Sequence, residues 1–153
     1  MTPTFNVLDE IQNYTDLSAY TLCFLDFETY RNSGLHKIHG YERYFRANPA
    51  VLEELSIDEE CEDSNPDLNL IKCLFKFGKD CSTNAMDNAS RNGHLAVVKY
   101  LHSIKKDCTT RAMNWASDRG HLAIVEYLHS IGKGCTTDAM DDASRAGHLE
   151  VVK

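Results

Sequence analysis

A 27-residue recurrence constrains this chain more than any other feature. Cys81, Cys108 and Cys135 stand 27 residues apart, as do Ala85, Ala112 and Ala139, then Met86, Met113 and Met140, then Gly93, Gly120 and Gly147. The units read CSTNAMDNASRNGHLAVVKYLHSIKKD, CTTRAMNWASDRGHLAIVEYLHSIGKG and CTTDAMDDASRAGHLEVVK, and the first two are identical at 17 of 27 positions. A weaker half-unit, Asp67 to Asp80 (DLNLIKCLFKFGKD), aligns at the same offset with His94 to Asp107. A fixed period of this length means that each unit packs mainly on its neighbours, so the fold is an array.

Each unit is expected to hold two helices. The first begins at the Thr pair Thr109-Thr110 or Thr136-Thr137, where a hydroxyl can accept an early backbone N–H. It ends at Gly93, Gly120 or Gly147, where a left-handed residue closes the helix. The second runs from Leu95 to about Ile104 and from Leu122 to about Ile131; Leu95, Val98, Leu101 and Ile104 fall at helical spacing. Gly132 and Gly134 are expected to loosen the chain before the next unit, and Lys105, Lys106 and Asp107 fill that place one unit earlier. A lone helix pair cannot bury its apolar faces, and stacking does so.

The segment Gly93-His94-Leu95-Ala96-Val97-Val98-Lys99-Tyr100-Leu101, repeated at Gly120 to Leu128 and begun again at Gly147 to Val152, is similar to the second-helix motif of ankyrin repeats. The resemblance covers roughly residues 67–153. It departs from the family in period, about 33 residues there against 27 here. The shortening falls where ankyrins carry a β-turn finger, and the Thr-Pro-Leu-His signature is absent, with Asp138-Ala139-Met140-Asp141 in that place of the third unit. The chain therefore resembles the shortened helical arrays of large DNA viruses and some unicellular eukaryotes. The resemblance implies an all-α fold: a short ankyrin-like helical-repeat solenoid with an N-terminal helical cap segment. It also implies that His94, His121 and His148 sit at helix starts and bond to neighbouring backbone.

The expected organisation is an N-terminal cap or adaptor-like segment, 1–65, followed by repeats over 66–153: partial 66–80, full 81–107 and 108–134, truncated 135–153. In the first segment Val7, Leu8 and Ile11 suggest a short amphipathic helix, and Tyr20 to Tyr30 a buried helix or strand. Gly34 and Gly40 read as breaks. Glu42 to Leu55 reads as one or two short helices interrupted at Asn48-Pro49. Ile57 to Asp67, acidic and without Lys or Arg, reads as a solvated loop or a frayed linker. Asp16-Leu17-Ser18 and the apolar run after it are faintly similar to an F-box, without its opening Leu-Pro. Lys153 falls inside a second helix, so Tyr-Leu-His-Ser-Ile is expected to follow in a longer array, unless the protein is naturally truncated.

Composition narrows the function. A formal net charge of −7 and the lack of a basic run speak against nucleic acid. No stretch approaches the roughly 18 apolar residues of a membrane span. Met1 to Glu10 does not read as a secretory leader. The six cysteines (Cys23, Cys61, Cys73, Cys81, Cys108, Cys135) are therefore expected as free thiols in a reducing compartment. The protein is expected to be intracellular and cytoplasmic, in the host cytoplasm if viral. A Cys ladder with one rung per unit cannot converge on a disulfide or a tetrahedral zinc, so structural burial is expected for Cys81, Cys108 and Cys135. His94, His121 and His148 follow the same logic. His36 and His39 form an i, i+3 pair with no ligand partner close in sequence. No nucleophile elbow, phosphate loop or carboxylate pair is recognisable. No cofactor, metal or catalytic residue is expected.

Positions that differ between units are free of the shared packing role. They are Asn84/Arg111/Asp138, Asn88/Trp115/Asp142, Arg91/Asp118/Arg145 and Asn92/Arg119/Ala146. Residues 84, 88 and 91 are i, i+4 and i+7, hence one helix face. Stacking lines these faces up as a strip of Asn84, Asn88, Arg91, Arg111, Trp115, Asp118, Asp138, Asp142 and Arg145 on the inner helices, where solenoids bind. Trp and Arg are also enriched in interface hot spots. The alternative for the same residues is surface packing by Trp115 and an Arg111 ion pair with Asp138 or Asp142. The expected function is protein–protein recognition through this strip. The alternatives are a substrate adaptor docking a ubiquitin-ligase component, and an enzyme confined to residues 1–65.

Overall fold

The computed structural model describes residues 25–152, with only the backbone described at Ile38 and His39. The amphipathic helix expected around Val7 to Ile11, the F-box-like Asp16-Leu17-Ser18, Tyr20 to Phe24, Cys23, Lys153 and the His39 side chain lie outside the described residues. Every described element is an α-helix, and the chain divides into two compact units at Leu55 and Ser56.

The described part of the first unit holds α1 (Phe27–Asn32), α2 (Leu35–Ala47) and α3 (Val51–Glu54). Asp26 caps α1 by accepting the Thr29 N–H at 2.8 Å, and that hydrogen bond holds its carboxyl below the usual range. Gly34, in the left-handed region at φ 76°, starts α2, and Gly40 (φ 73°, ψ 149°) kinks it, so both breaks fall where expected. Aromatic rings form this core: Tyr30 and Tyr44 stack at 4.4 Å, with Phe27 and Phe45 beside them. Both phenols are satisfied, Tyr30 donating to the Gly40 carbonyl at 2.9 Å and Tyr44 to that of Leu25 at 2.8 Å. Buried Tyr requires such partners.

The second unit is a stack of helix pairs: α4 (Ile57–Glu62) with α5 (Leu68–Lys76), α6 (Thr83–Arg91) with α7 (Leu95–Ser103), α8 (Thr110–Asp118) with α9 (Leu122–Ser130), and α10 (Asp138–Ala146) with α11 (Leu149–Val152). The first helices α4, α6, α8 and α10 pack on one another far more closely than the second helices do. Their buried positions explain this. Ala85, Ala89, Ala112, Ala116, Ala139 and Ala143 bring small side chains to the helix–helix seam, and the second helices bring Val98, Leu101, Ile124 and Leu128.

Ser82 caps α6 by accepting the Asn84 N–H at 3.1 Å, and Thr109 caps α8 through Arg111 in the same way. At α10 the cap position falls on Thr137, which makes no such bond; Thr136, the counterpart of Thr109, accepts from the Asn114 amide instead. The first helices α6, α8 and α10 each end in a Schellman arrangement. Gly93, Gly120 and Gly147 take φ of 85°, 71° and 79°, and the N–H of the following His bonds back to Ala89, Ala116 or Ala143 at 2.8–2.9 Å. The second helices close identically at Gly78, Lys105 and Gly132. Gly132 thus fixes the helix end rather than loosening the chain, because its left-handed conformation lets the Lys133 N–H reach Leu128 at 2.9 Å.

Ile57 to Glu62, expected as a solvated loop, is helix α4. Ile57 and Cys61 are fully buried, and Glu60 turns back to accept the Asp67 N–H at 2.7 Å. This helix is the missing first helix of the weak half-unit. Asp58 accepts from Ser82 24 residues on, as Asp87 accepts from Thr109 22 residues on. Two extra residues therefore separate α4 from its successor, and they break the 27-residue step that reveals the other units.

Candidate interaction surface on the first helices

What holds the strip in place is a set of polar ladders between consecutive units. The buried carboxylate of Asp87 accepts from both the N–H and the hydroxyl of Thr109, at 2.8 and 2.6 Å. One unit on, the Asn114 amide does the same work, accepting from Thr136 N–H at 3.1 Å and donating to its hydroxyl at 2.8 Å. Each bond ties the middle of one first helix to the start of the next, and so fixes their register.

The histidines form a second ladder. His94 Nε2 donates to the Asp63 carbonyl at 2.9 Å and His121 Nε2 to that of Arg91 at 3.1 Å, each in the preceding unit. The backbone bonding that the resemblance implies is thus present at these two. A Cβ on Gly93 would stand 2.8 Å from the His121 ring, and one on Gly120 2.5 Å from that of His148. Glycine is needed there twice over, for the left-handed φ and for the approach of the next imidazole.

On the loop side Lys106 pairs with Asp80 and Lys133 with Asp107. The hydrogen bond from each lysine lowers the pKa of its aspartate and raises its own. The carboxylate contribution is present at neutral pH and lost as pH falls through the lowered pKa; the lysine contribution is lost only in strong alkali.

The cysteines are free thiols at all five described positions. Cys61 and Cys73 are buried and Cys81 and Cys108 half-buried, but Cys135 is exposed, which corrects the expected burial of the whole ladder. Burial pushes the Cys61 thiol up to about 12 and those of Cys81 and Cys108 to about 11, far from a reactive thiolate at neutral pH. Among the described residues no three His, Cys, Asp or Glu side chains are placed to hold a metal ion.

The nine strip residues are all at least partly exposed. Asn84, Arg111, Asp138 and Arg145 are open to solvent, and Asn88, Arg91, Trp115, Asp118 and Asp142 are half-buried. The structure brings three of them together. Two guanidinium groups stand over the Trp115 ring, that of Arg91 of the preceding first helix at 5.5 Å and that of Arg111 of its own helix at 5.8 Å. Arg111 and Trp115 are i, i+4 on α8, and Arg91 reaches them from the last turn of α6. Asp142 pairs with Arg145 at 2.9 Å within α10, and Asp118 lies 3.6 Å from Arg119. Arg111 thus stands over Trp115 and not against Asp138 or Asp142. Asn92, variable in sequence, is occupied: its amide donates to the Glu62 carbonyl at 2.8 Å.

Comparison between units missed the outer face of the second helices, because its residues recur and read as packing. There Lys72 stands over Tyr100 and Lys99 over Tyr127, each at 5.5 Å, and His102 Nδ1 shares a 2.8 Å hydrogen bond with the Tyr127 hydroxyl. The signal was present as Lys-Tyr at 99–100 with Tyr again at 127. Among the described residues no helix is long and apolar enough to cross a membrane.

A family model for ankyrin repeats, three copies, matches residues 61–141. No curated protein and no solved structure matches the chain. Ankyrin repeats are in general protein–protein interaction modules and are typically non-enzymatic. With its paired helices, Schellman glycines and histidine ladder, and with that match over more than half its length, the chain belongs to the ankyrin repeat family.

Proposed function

We propose that this protein binds a protein partner across the first-helix strip, with Trp115 at its centre. The supporting observation is the Arg91–Trp115–Arg111 cluster, a half-buried indole with two cations over its ring on the face where unit-to-unit variation concentrates. A ring fixed in this way offers large contact area and loses little freedom on binding. The shared residues of the repeat build the scaffold; the variable ones carry the recognition. Among the described residues nothing favours the reaction-bearing alternative in residues 1–65, and the thiols of Cys61, Cys81 and Cys108 are poor nucleophiles.

The test is affinity capture from eukaryotic lysate with the wild type and the Trp115→Ala, Arg111→Ala, Arg145→Ala triple variant, circular dichroism establishing that both fold. A partner lost only with the variant supports the strip. Identical capture by both sinks it, and a cullin-type ligase component retained by both would favour the adaptor alternative.

A further inference from the structure

The partner's chemistry can be taken one step further, resting on the strip being the binding face. We infer that the strip recognises an acidic peptide segment, whose carboxylates bind Arg91 and Arg111 at the edge of the Trp115 ring.

The chain is acidic, with a formal net charge of −7, yet the centre of the strip holds two arginines. Among the described residues neither is paired with a carboxylate, although the third arginine of the strip, Arg145, and Arg119 next to it in the stack each are. Instead both guanidinium groups are held by one indole, at 5.5 and 5.8 Å. A guanidinium stacked on an aromatic face keeps its N–H edge free, and that edge matches a carboxylate in bidentate fashion. Stacking also removes much of the rotamer freedom that binding would otherwise have to freeze. Arg111 lies in the first turn of α8, where the helix dipole adds partial positive charge.

The surroundings give the site a direction. On the α6 side it meets the uncharged Asn84 and Asn88; on the α10 side it meets the exposed Asp138 and half-buried Asp142. An acidic segment is therefore drawn toward the α6–α8 half and repelled from α10. The acidic residues of the ligand should be clustered at one end, with neutral or basic ones facing α10. Nucleic acid offers anions and stacking bases too, but the chain's overall charge and the aspartates on α10 oppose a continuous phosphate backbone.

Selection from a random 12-residue peptide display library on the intact chain tests this, with the Arg91→Gln, Arg111→Gln double variant alongside. Trp115 is the chain's one tryptophan, so its fluorescence reports directly on the site when each selected peptide is titrated. The expected result is enrichment of Asp and Glu clustered at one end of the peptide. Selected peptides should perturb Trp115 emission, and their Glu→Gln forms and the double variant should each weaken binding at least about tenfold, the scale of losing a desolvated charge pair. Peptides that perturb Trp115 without acidic enrichment, or that bind the double variant unchanged, overturn the acidic assignment and leave the strip standing. Peptides that leave Trp115 unperturbed, or a library that enriches nothing, remove the strip reading as well. Tighter binding of a single-stranded oligonucleotide than of any selected peptide overturns the inference in favour of nucleic acid.

Discussion

The α8–α9 unit and the α10–α11 unit are built from nearly the same residues, yet they differ in what those residues do. Met113, in α8, is 5% exposed, and its counterpart Met140 in α10 is 63% exposed. Gly120 receives the His148 ring, whereas a Cβ on Gly147 would meet nothing within 4 Å. Asn114 grips Thr136, while Asp141, one unit on, stands exposed. The sequence of a repeat therefore does not determine its burial. Part of each unit's packing comes from the unit stacked on it, as in any array stabilised by nearest-neighbour interfaces.

The largest test of this difference is truncation of the two methionines. Met113→Ala should lower the stability of the repeats by about 2–4 kcal/mol through lost burial and a residual cavity. Met140→Ala should change it by less than about 0.5 kcal/mol, as exposed substitutions do. Urea unfolding followed by circular dichroism measures both. Equal losses would mean that α10 is covered in solution, by another copy or by chain beyond it.

Next come the glycines. Gly120→Ala meets two penalties: about 1–2 kcal/mol for a side chain in the left-handed region, and about 1–3 kcal/mol more for displacing the His148 ring. Gly147→Ala meets only the first. A difference between the two below about 0.5 kcal/mol in thermal or urea unfolding would show that the imidazole shifts at no loss and that the ring contact is incidental to the stack.

The polar ladder gives a finer contrast. Asp87→Ala strips the buried acceptor from two Thr109 donors and should cost about 1–3 kcal/mol; Asp141→Ala should be close to neutral. Asp87→Asn sharpens the point. Asn114 performs the same grip with an amide, so the asparagine should keep most of the stability. A full loss with asparagine would mean that the charge, not the hydrogen-bond pattern, holds α6 to α8.

The same contrast explains which parts were legible beforehand. The helix pairs over 81–152, their glycine ends and the Thr109 cap follow from a period that 17 of 27 identities make unmistakable. The faces follow too, since Ala85, Met86 and Ala89 are shared between units and buried. Helix α4 was hidden because two inserted residues shift it out of step and because four acidic residues mask the two that matter, Ile57 and Cys61. The exposure of Cys135 and Met140 was hidden for a different reason. Identical residues predict identical burial only where the same neighbours pack on them. The strip was legible as a set of variable positions, but the clustering of two arginines on Trp115 was not. It depends on Arg91 reaching across from α6, a contact between units that within-helix spacing does not describe.

The smallest effect separates units that are otherwise alike. The second helices α5, α7 and α9 close through Gly78, Lys105 and Gly132 at φ of 85°, 65° and 76°, and in each the next N–H bonds back to a leucine carbonyl at 2.9–3.0 Å. Only the middle unit forces a side chain into the left-handed region. A Cβ at Gly78 or Gly132 would meet nothing within 4 Å, so space does not decide the residue; the dihedral does. Lys105→Gly should relieve about 1 kcal/mol of backbone strain and give some of it back through the greater freedom of glycine in the unfolded chain, for a net gain near 0.5 kcal/mol. Gly132→Lys should lose a similar amount, and the double variant should match the wild type, since the two sites share no partner. If Lys105→Gly instead destabilises the array, the left-handed turn at Lys105 is held by its exposed side chain rather than by the helix end, and the equivalence of the three closures fails.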